Sequence, residues 1–151
     1  MRSSLALAGF SLLVAVAGAF GAVFQPGAWY AELRKPPLTP PNWLFGPVWT
    51  LLYVGIAVAA WLVWRSRLGG PGLLALWAAP RAFNALWSWL FSGLQRPGLA
   101  LLDIGDLLAR VVATTAACFH VRAGAGALFV PYVGWVGFAT YLNAGIWLLN
   151  R

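Results

Sequence analysis

Apolar residues fall into five long blocks, at residues 4–24, 45–64, 72–92, 98–119 and 127–150. A helix rises about 1.5 Å per residue, so a block of about 20 residues crosses a hydrocarbon core about 30 Å thick. Turn-forming and most basic residues lie in the breaks at 25–44, 65–71, 93–97 and 120–126. The pattern predicts an all-α, multi-pass integral membrane protein: one domain over residues 1–151, built as a bundle of five transmembrane helices.

The first break is much longer than the others, and its composition is unusual for a connecting loop. The stretch from Trp29 to Tyr53 contains three tryptophans, two tyrosines and five prolines. Proline fixes φ and lacks a backbone donor, so this segment is stiff. Tryptophan supplies a large flat apolar face with one polar N–H. We therefore expect a structured lid that covers something flat and apolar.

Composition supports a membrane location and excludes several classes of function. The chain is 62% hydrophobic and 9% charged, whereas soluble domains carry about 25% charged residues. The net charge of +7 forms no basic run, so we expect the lipid bilayer and not nucleic acid as a partner. Basic residues divide equally between the two sides of the bundle, which leaves its orientation and the kind of membrane open. Cys118 and His120 have no further ligands nearby in sequence, so no disulfide and no metal site is expected.

Several motifs are shared with a known family. In the lid and the second block they read WY at 29–30, KP at 35–36, PP at 40–41 and FGPVWT at 45–50. The later blocks carry Asn84, WS at 87–88, PY at 131–132, Trp135, Ala139 and LN at 142–143. This combination spans nearly the whole chain. It resembles the translocator protein family (TspO/MBR, once called the peripheral benzodiazepine receptor), and the chain is similar to its bacterial-type members.

The resemblance implies a five-helix bundle, commonly dimeric, with a pocket between the helices under the first loop. It implies a membrane receptor, sensor or carrier that binds tetrapyrroles such as protoporphyrin IX and haem as ligands, with no required cofactor. Small residues at four-residue spacing in the first block, such as Gly18 and Ala22, also favour close helix contacts, so a homodimer is a hypothesis. By their motif positions, the expected ligand-binding residues are Trp29, Tyr30, Pro41, Trp49, Tyr53, Asn84, Trp87, Phe91, Trp135, Ala139 and Asn143.

Helical spacing agrees with part of this set. Trp135, Ala139 and Asn143 follow at four-residue intervals and share one helix face, as do Trp49 and Tyr53. A planar porphyrin suits a slot walled by aromatic side chains. Sterol is not the expected native ligand, because the forward cholesterol motif of Leu or Val, then Tyr, then Lys or Arg is not met.

Three charges depart from the family pattern, at Arg81, Asp106 and Arg110. If the third and fourth blocks turn around residues 94–95, Arg81 lies level with Leu108, between Asp106 and Arg110 in depth. We therefore expect an intramembrane cluster of these three residues. It either compensates charge within the bundle or offers its spare positive charge to a ligand carboxylate. Pro80 should also kink its helix.

Two other functions remain open at this point. The first is an enzyme that oxidises bound porphyrin in light and uses Trp49 and Trp135 as electron donors; otherwise no catalytic residue is assigned. The second is an ion-coupled transporter with Asp103, Asp106 and Arg110 as a relay. The sequence contains neither a phosphate-binding loop nor a dinucleotide motif.

Overall fold

The computed structural model describes residues 2–24, 27–66 and 68–151, and these residues are almost entirely helical. Within these ranges there is no strand, and the α-helices are α1 (Arg2–Val23), α2 (Ala28–Glu32), α3 (Phe45–Trp64), α4 (Pro71–Ser88), α5 (Pro97–Val121) and α6 (Ala123–Leu149). A 3₁₀ turn at Asn42–Leu44 leads into α3, and a π-helical turn at Trp89–Gly93 extends α4. The prediction of an all-helical chain is confirmed.

The five long helices coincide with the five apolar blocks, and the short α2 lies inside the first loop, where no helix was predicted. Three helical segments are long and apolar enough to cross a membrane, namely Ser3–Val23, Asn42–Trp64 and Ala123–Leu149. Helices α4 and α5 have 18 and 25 residues, but their charged side chains lower the mean hydropathy. The membrane class is therefore supported directly, while the count of five spans rests on α4 and α5.

Helix α3 packs against α1 and α6, and α5 packs against both α4 and α6. The centre of the bundle is filled by Ile56, Leu107, Val111 and Phe129, whose side chains are fully buried. Ala59 and Ala60 of α3 are also fully buried, and such small residues let neighbouring helices approach closely. Helix α1 covers one side of the bundle and exposes most of its apolar side chains, as a lipid-facing helix would.

The turn between α4 and α5 forms where the sequence predicts it. Arg96 N–H donates to the Leu90 carbonyl at 3.0 Å, and Gln95 adopts φ of 55°. A left-handed residue of this kind ends a helix and reverses the chain. Pro80 lies inside α4, which continues to Ser88, so the kink at Pro80 stays a prediction.

Candidate functional site

A cavity of about 800 Å³ lies between the helices and beneath the first loop. Its walls come from α1, α2, the 3₁₀ turn, α3, α4 with its π-helical turn, and α6. A volume of this size lies within the range of small-molecule and cofactor sites, about 300–1,000 Å³. Eight of the eleven expected ligand-binding residues line it: Tyr30, Trp49, Tyr53, Asn84, Trp87, Phe91, Ala139 and Asn143.

The other three expected residues lie outside the cavity lining. Trp29 packs edge-on against Phe91 with ring centroids 5.8 Å apart, so it supports the wall from behind. Pro41 precedes the 3₁₀ turn. Trp135 packs edge-on against Phe45 at 5.6 Å. Spacing assigned Trp135 to the correct face of α6, but the cavity ends at Ala139, one turn further along the helix.

Small residues of α1 form a wall that motif matching did not identify. Gly18, Gly21 and Ala22 line the cavity. A Cβ at Gly18 would lie 2.7 Å from Cε2 of Tyr53, and a Cβ at Gly21 would lie 3.4 Å from Oγ of Ser88. The four-residue spacing of small residues in the first block was the available signal. Here it serves close contact within the chain, and the homodimer that the sequence analysis connected with this spacing stays a hypothesis.

Aromatic side chains form two groups around the cavity. On α4 and its π-helical turn, Trp87 and Phe91 stack with centroids 5.0 Å apart and planes 18° apart. On α3, Trp49 and Tyr53 lie 5.4 Å apart with a 35° tilt. Tyr30 of α2 contacts Phe91 edge-on at 6.2 Å and connects the lid to the α4 group. The cavity therefore presents flat apolar surfaces from two helices and the lid.

Two buried amides hold the polar part of the site together. Trp87 Nε1 donates to Asn143 Oδ1 at 2.9 Å, and Asn143 Nδ2 donates to the Pro97 carbonyl at 2.7 Å. Asn84 Nδ2 donates to the Tyr53 hydroxyl at 3.2 Å. These bonds connect α4 to α6, α6 to the start of α5, and α4 to α3. Both amides therefore tie helices together while they also line the cavity.

The lid is anchored to the far end of α6. The Arg34 N–H donates to Asn150 Oδ1 at 2.9 Å, and Asn150 Nδ2 donates back to the Arg34 carbonyl at 2.8 Å. The Tyr141 hydroxyl donates to the Pro37 carbonyl at 2.8 Å. A Cβ at Gly145 would lie 2.6 Å from the Pro36 ring, so this glycine permits the close approach of the loop.

Tyr30 and Lys35 stiffen the inner side of the lid. Lys35 Nζ lies 4.7 Å from the centroid of the Tyr30 ring and donates to the carbonyls of Ala31 and Leu33, each at 3.2 Å. Tyr30 is buried, and this burial raises the pKa of its phenol. Lys35 therefore ties the loop to itself.

The structure corrects the predicted cluster of three charges. Arg110 Nε bonds Asp106 Oδ2 at 2.8 Å on an exposed face of α5. Arg81 is buried, and its guanidinium lies 5.1 Å from the Tyr132 ring centroid and 5.5 Å from that of Trp77, with no hydrogen bond to any described residue. Counting residues from the turn at 94–95 compares only the depth of side chains along α4 and α5. Rotation about the helix axis directs Arg81 into the bundle and the Asp106–Arg110 pair outward.

The alternative functions have less support from this geometry. Trp49 lines the cavity, but Trp135, its expected partner in porphyrin oxidation, does not. Asp103 is buried, whereas Asp106 is exposed and Arg110 is partly exposed, and none of the three lines the cavity. Among the residues that the structure describes, no three His, Cys, Asp or Glu side chains come together as metal ligands.

Comparison with known proteins identifies similar chains of nearly the same length. The model of the TspO/MBR family matches residues 10–148. The tryptophan-rich protein TspO of Archaeoglobus fulgidus is 41% identical over 140 residues, which cover 92% of this chain and 91% of that protein. The tryptophan-rich sensory protein of Cereibacter sphaeroides is 42% identical, covering 86% and 82%. The translocator protein of Bos taurus is 37% identical, covering 95% and 89%.

Proposed function

Because this chain belongs to the TspO/MBR family, as its motifs predicted, we propose that it is a membrane receptor that binds a tetrapyrrole beneath its lid. The ligand occupies the cavity between α1, α3, α4 and α6. The name of the Cereibacter sphaeroides relative, a tryptophan-rich sensory protein, supports a receptor over an enzyme. The tetrapyrrole is a ligand here, and no cofactor is required.

The observation that carries this proposal is the pair of aromatic groups around one cavity. Trp87 stacks with Phe91 on α4 and its π-helical turn, while Trp49 and Tyr53 form the group on α3. A planar ligand of large apolar area gains from offset stacking and edge contacts with such rings. The buried hydrogen bonds of Asn84 and Asn143 hold these rings in place without the ligand. A preformed apolar slot of this kind is suited to a flat macrocycle.

The same proposal requires that all five long helices span the bilayer. Helices α4 and α5 are less apolar than the other three, yet Arg81, Asn84 and Asp103 are buried within the bundle. Polar residues in membrane helices characteristically face the interior of the bundle. Asp106 and Arg110 pair with each other on the outside of α5. This ion pair reduces the free-energy cost of placing the two charges next to lipid. The protein is then multi-pass, with the lid at one membrane surface.

Titration of the purified protein in detergent with protoporphyrin IX and with haem tests the proposal. We expect saturable quenching of tryptophan fluorescence and a shift in the porphyrin absorbance. Trp49→Leu removes a cavity ring and should raise Kd about three- to tenfold, the value of one aromatic contact. Trp64→Leu is the matched control, since Trp64 ends the same helix and lies outside the cavity. Linear, non-saturable quenching by both ligands would refute the proposal.

A further inference from the structure

Arg81 is a buried cation without a hydrogen-bond acceptor in the described part of the chain. Only 8% of the residue is exposed, and Nε, Nη1 and Nη2 all lack a partner there. The Tyr132 hydroxyl, on a fully buried residue of α6, also has no partner among the described residues. Two polar groups from α4 and α6 therefore lie close together, and no acidic side chain of the described residues is bonded to either.

The surroundings of Arg81 compensate its charge only in part. The rings of Tyr132 and Trp77 lie 5.1 and 5.5 Å from the guanidinium carbon and offer cation–π attraction. Neither ring carries the opposite charge that a buried cation needs. Asp106 is bonded to Arg110 on the outer face of α5. Arg81 is therefore a strong donor site that is held without an anion of its own.

This donor site adjoins the inner end of the cavity. Arg81 lies one helical turn from Asn84, and Asn84 and Tyr53 both line the cavity. Tyr132 contacts Trp49, another lining residue, with ring centroids 6.3 Å apart. The hydrogen bond from Asn84 Nδ2 to the Tyr53 hydroxyl, at 3.2 Å, joins two residues of the cavity wall at this end, one of them a helical turn from Arg81. This bond is at the long end of the normal range, so rotation of the two side chains gives up only a weak hydrogen bond.

We propose that Arg81, with the hydroxyls of Tyr132 and Tyr53, is a carboxylate-binding subsite at the inner end of the cavity. The inference rests on the proposed function and defines its ligand: a tetrapyrrole with at least one free carboxylate at its edge, inserted acid end first. The planar guanidinium donates two parallel N–H bonds to a carboxylate, and the phenols donate O–H bonds. The ligand acid then supplies both the missing acceptors and the missing negative charge.

The test compares protoporphyrin IX with its dimethyl ester, which keeps the macrocycle and loses both carboxylates. Wild-type protein should bind the free acid at least about tenfold more tightly, since a charged hydrogen-bonded contact is lost with the ester. Arg81→Met should bind the two compounds with nearly equal affinity. Arg110→Met is the matched control, because Arg110 is partly exposed and paired with Asp106 outside the cavity, and it should keep the wild-type preference.

The outcomes separate this inference from the proposed function. If neither compound binds wild-type protein, the proposed function fails. If both bind equally well, the receptor stands and the carboxylate subsite is refuted. A preference that survives in Arg81→Met places the carboxylate elsewhere and also refutes the subsite. Tyr132→Phe keeps the buried ring and removes one hydroxyl, so it should reduce the preference even where Arg81→Met folds poorly, and an unchanged preference would exclude Tyr132.

Discussion

Asn143→Leu should destabilise the protein substantially because Asn143 joins three helices through one buried side chain. The residue is 1% exposed, accepts from Trp87 Nε1 at 2.9 Å and donates to the Pro97 carbonyl at 2.7 Å. Leucine has a similar size, so the change removes hydrogen bonds while it creates little empty space.

The magnitude follows from two contributions. Hydrogen bonds between membrane helices contribute about 0.6 kcal/mol each. The indole N–H of Trp87 then loses its partner, and one buried donor without an acceptor costs about 1–3 kcal/mol. The Pro97 carbonyl keeps its bond within α5, which begins at that residue. The sum predicts a loss of about 2–4 kcal/mol in the free energy of unfolding. Ligand affinity should fall as well, because Trp87 is no longer held in its stack with Phe91.

Reversible unfolding by denaturant in mixed micelles, followed by far-UV circular dichroism, measures the stability change. Asn42→Leu is the control: Asn42 also lines the cavity, but it is exposed, and its side chain has no hydrogen bond within the described structure. We expect this control to remain within about 0.5 kcal/mol of wild type. If Asn143→Leu unfolds like Asn42→Leu, the buried amide does not tie the helices and the reasoning is wrong.

Three further predictions concern the lid and the α1 wall. Gly145→Ala places a Cβ 2.6 Å from Pro36, so the loop should become more sensitive to limited proteolysis, while Gly137→Ala, with open space around it, should not change it. Gly18→Ala pushes against Tyr53 at 2.7 Å and should weaken porphyrin binding in titration, unlike Gly9→Ala; equal affinities would contradict the α1 wall. Burial raises the Tyr30 pKa, so the unfolded state loses this proton first and stability should fall above about pH 10; Tyr30→Phe should flatten that decline in unfolding midpoints.

Much of the architecture was predictable because it depends on local properties of the chain. Block length and hydropathy determine whether a segment forms a long apolar helix, and the five long helices coincide with the five blocks. Four-residue spacing predicted that Ala139 and Asn143 share a face, and both line the cavity. The short α2 was not predicted, since a helix of five residues is too short to show a periodic pattern.

Which residues of a helix line the cavity was harder to predict than which residues share one face of that helix. Trp135 shares its face with Ala139, yet it packs against Phe45 and does not line the cavity. The role of Gly18 depended on a neighbour 35 positions later in the chain, Tyr53, which approaches it closely. Such contacts arise only when separate helices pack, so spacing within one helix does not specify them.

Arg81 shows most clearly which features follow from the sequence and which follow from the packing of helices. The sequence by itself determined that a cation lies deep in an apolar helix, and hairpin arithmetic placed it level with Asp106 and Arg110. Only the tertiary structure decided that it faces Tyr132 and Trp77 inside the bundle, while its supposed partners pair on the outer face of α5. Depth follows from counting residues at a fixed rise, whereas the direction of a side chain depends on how each helix rotates to bury its neighbours.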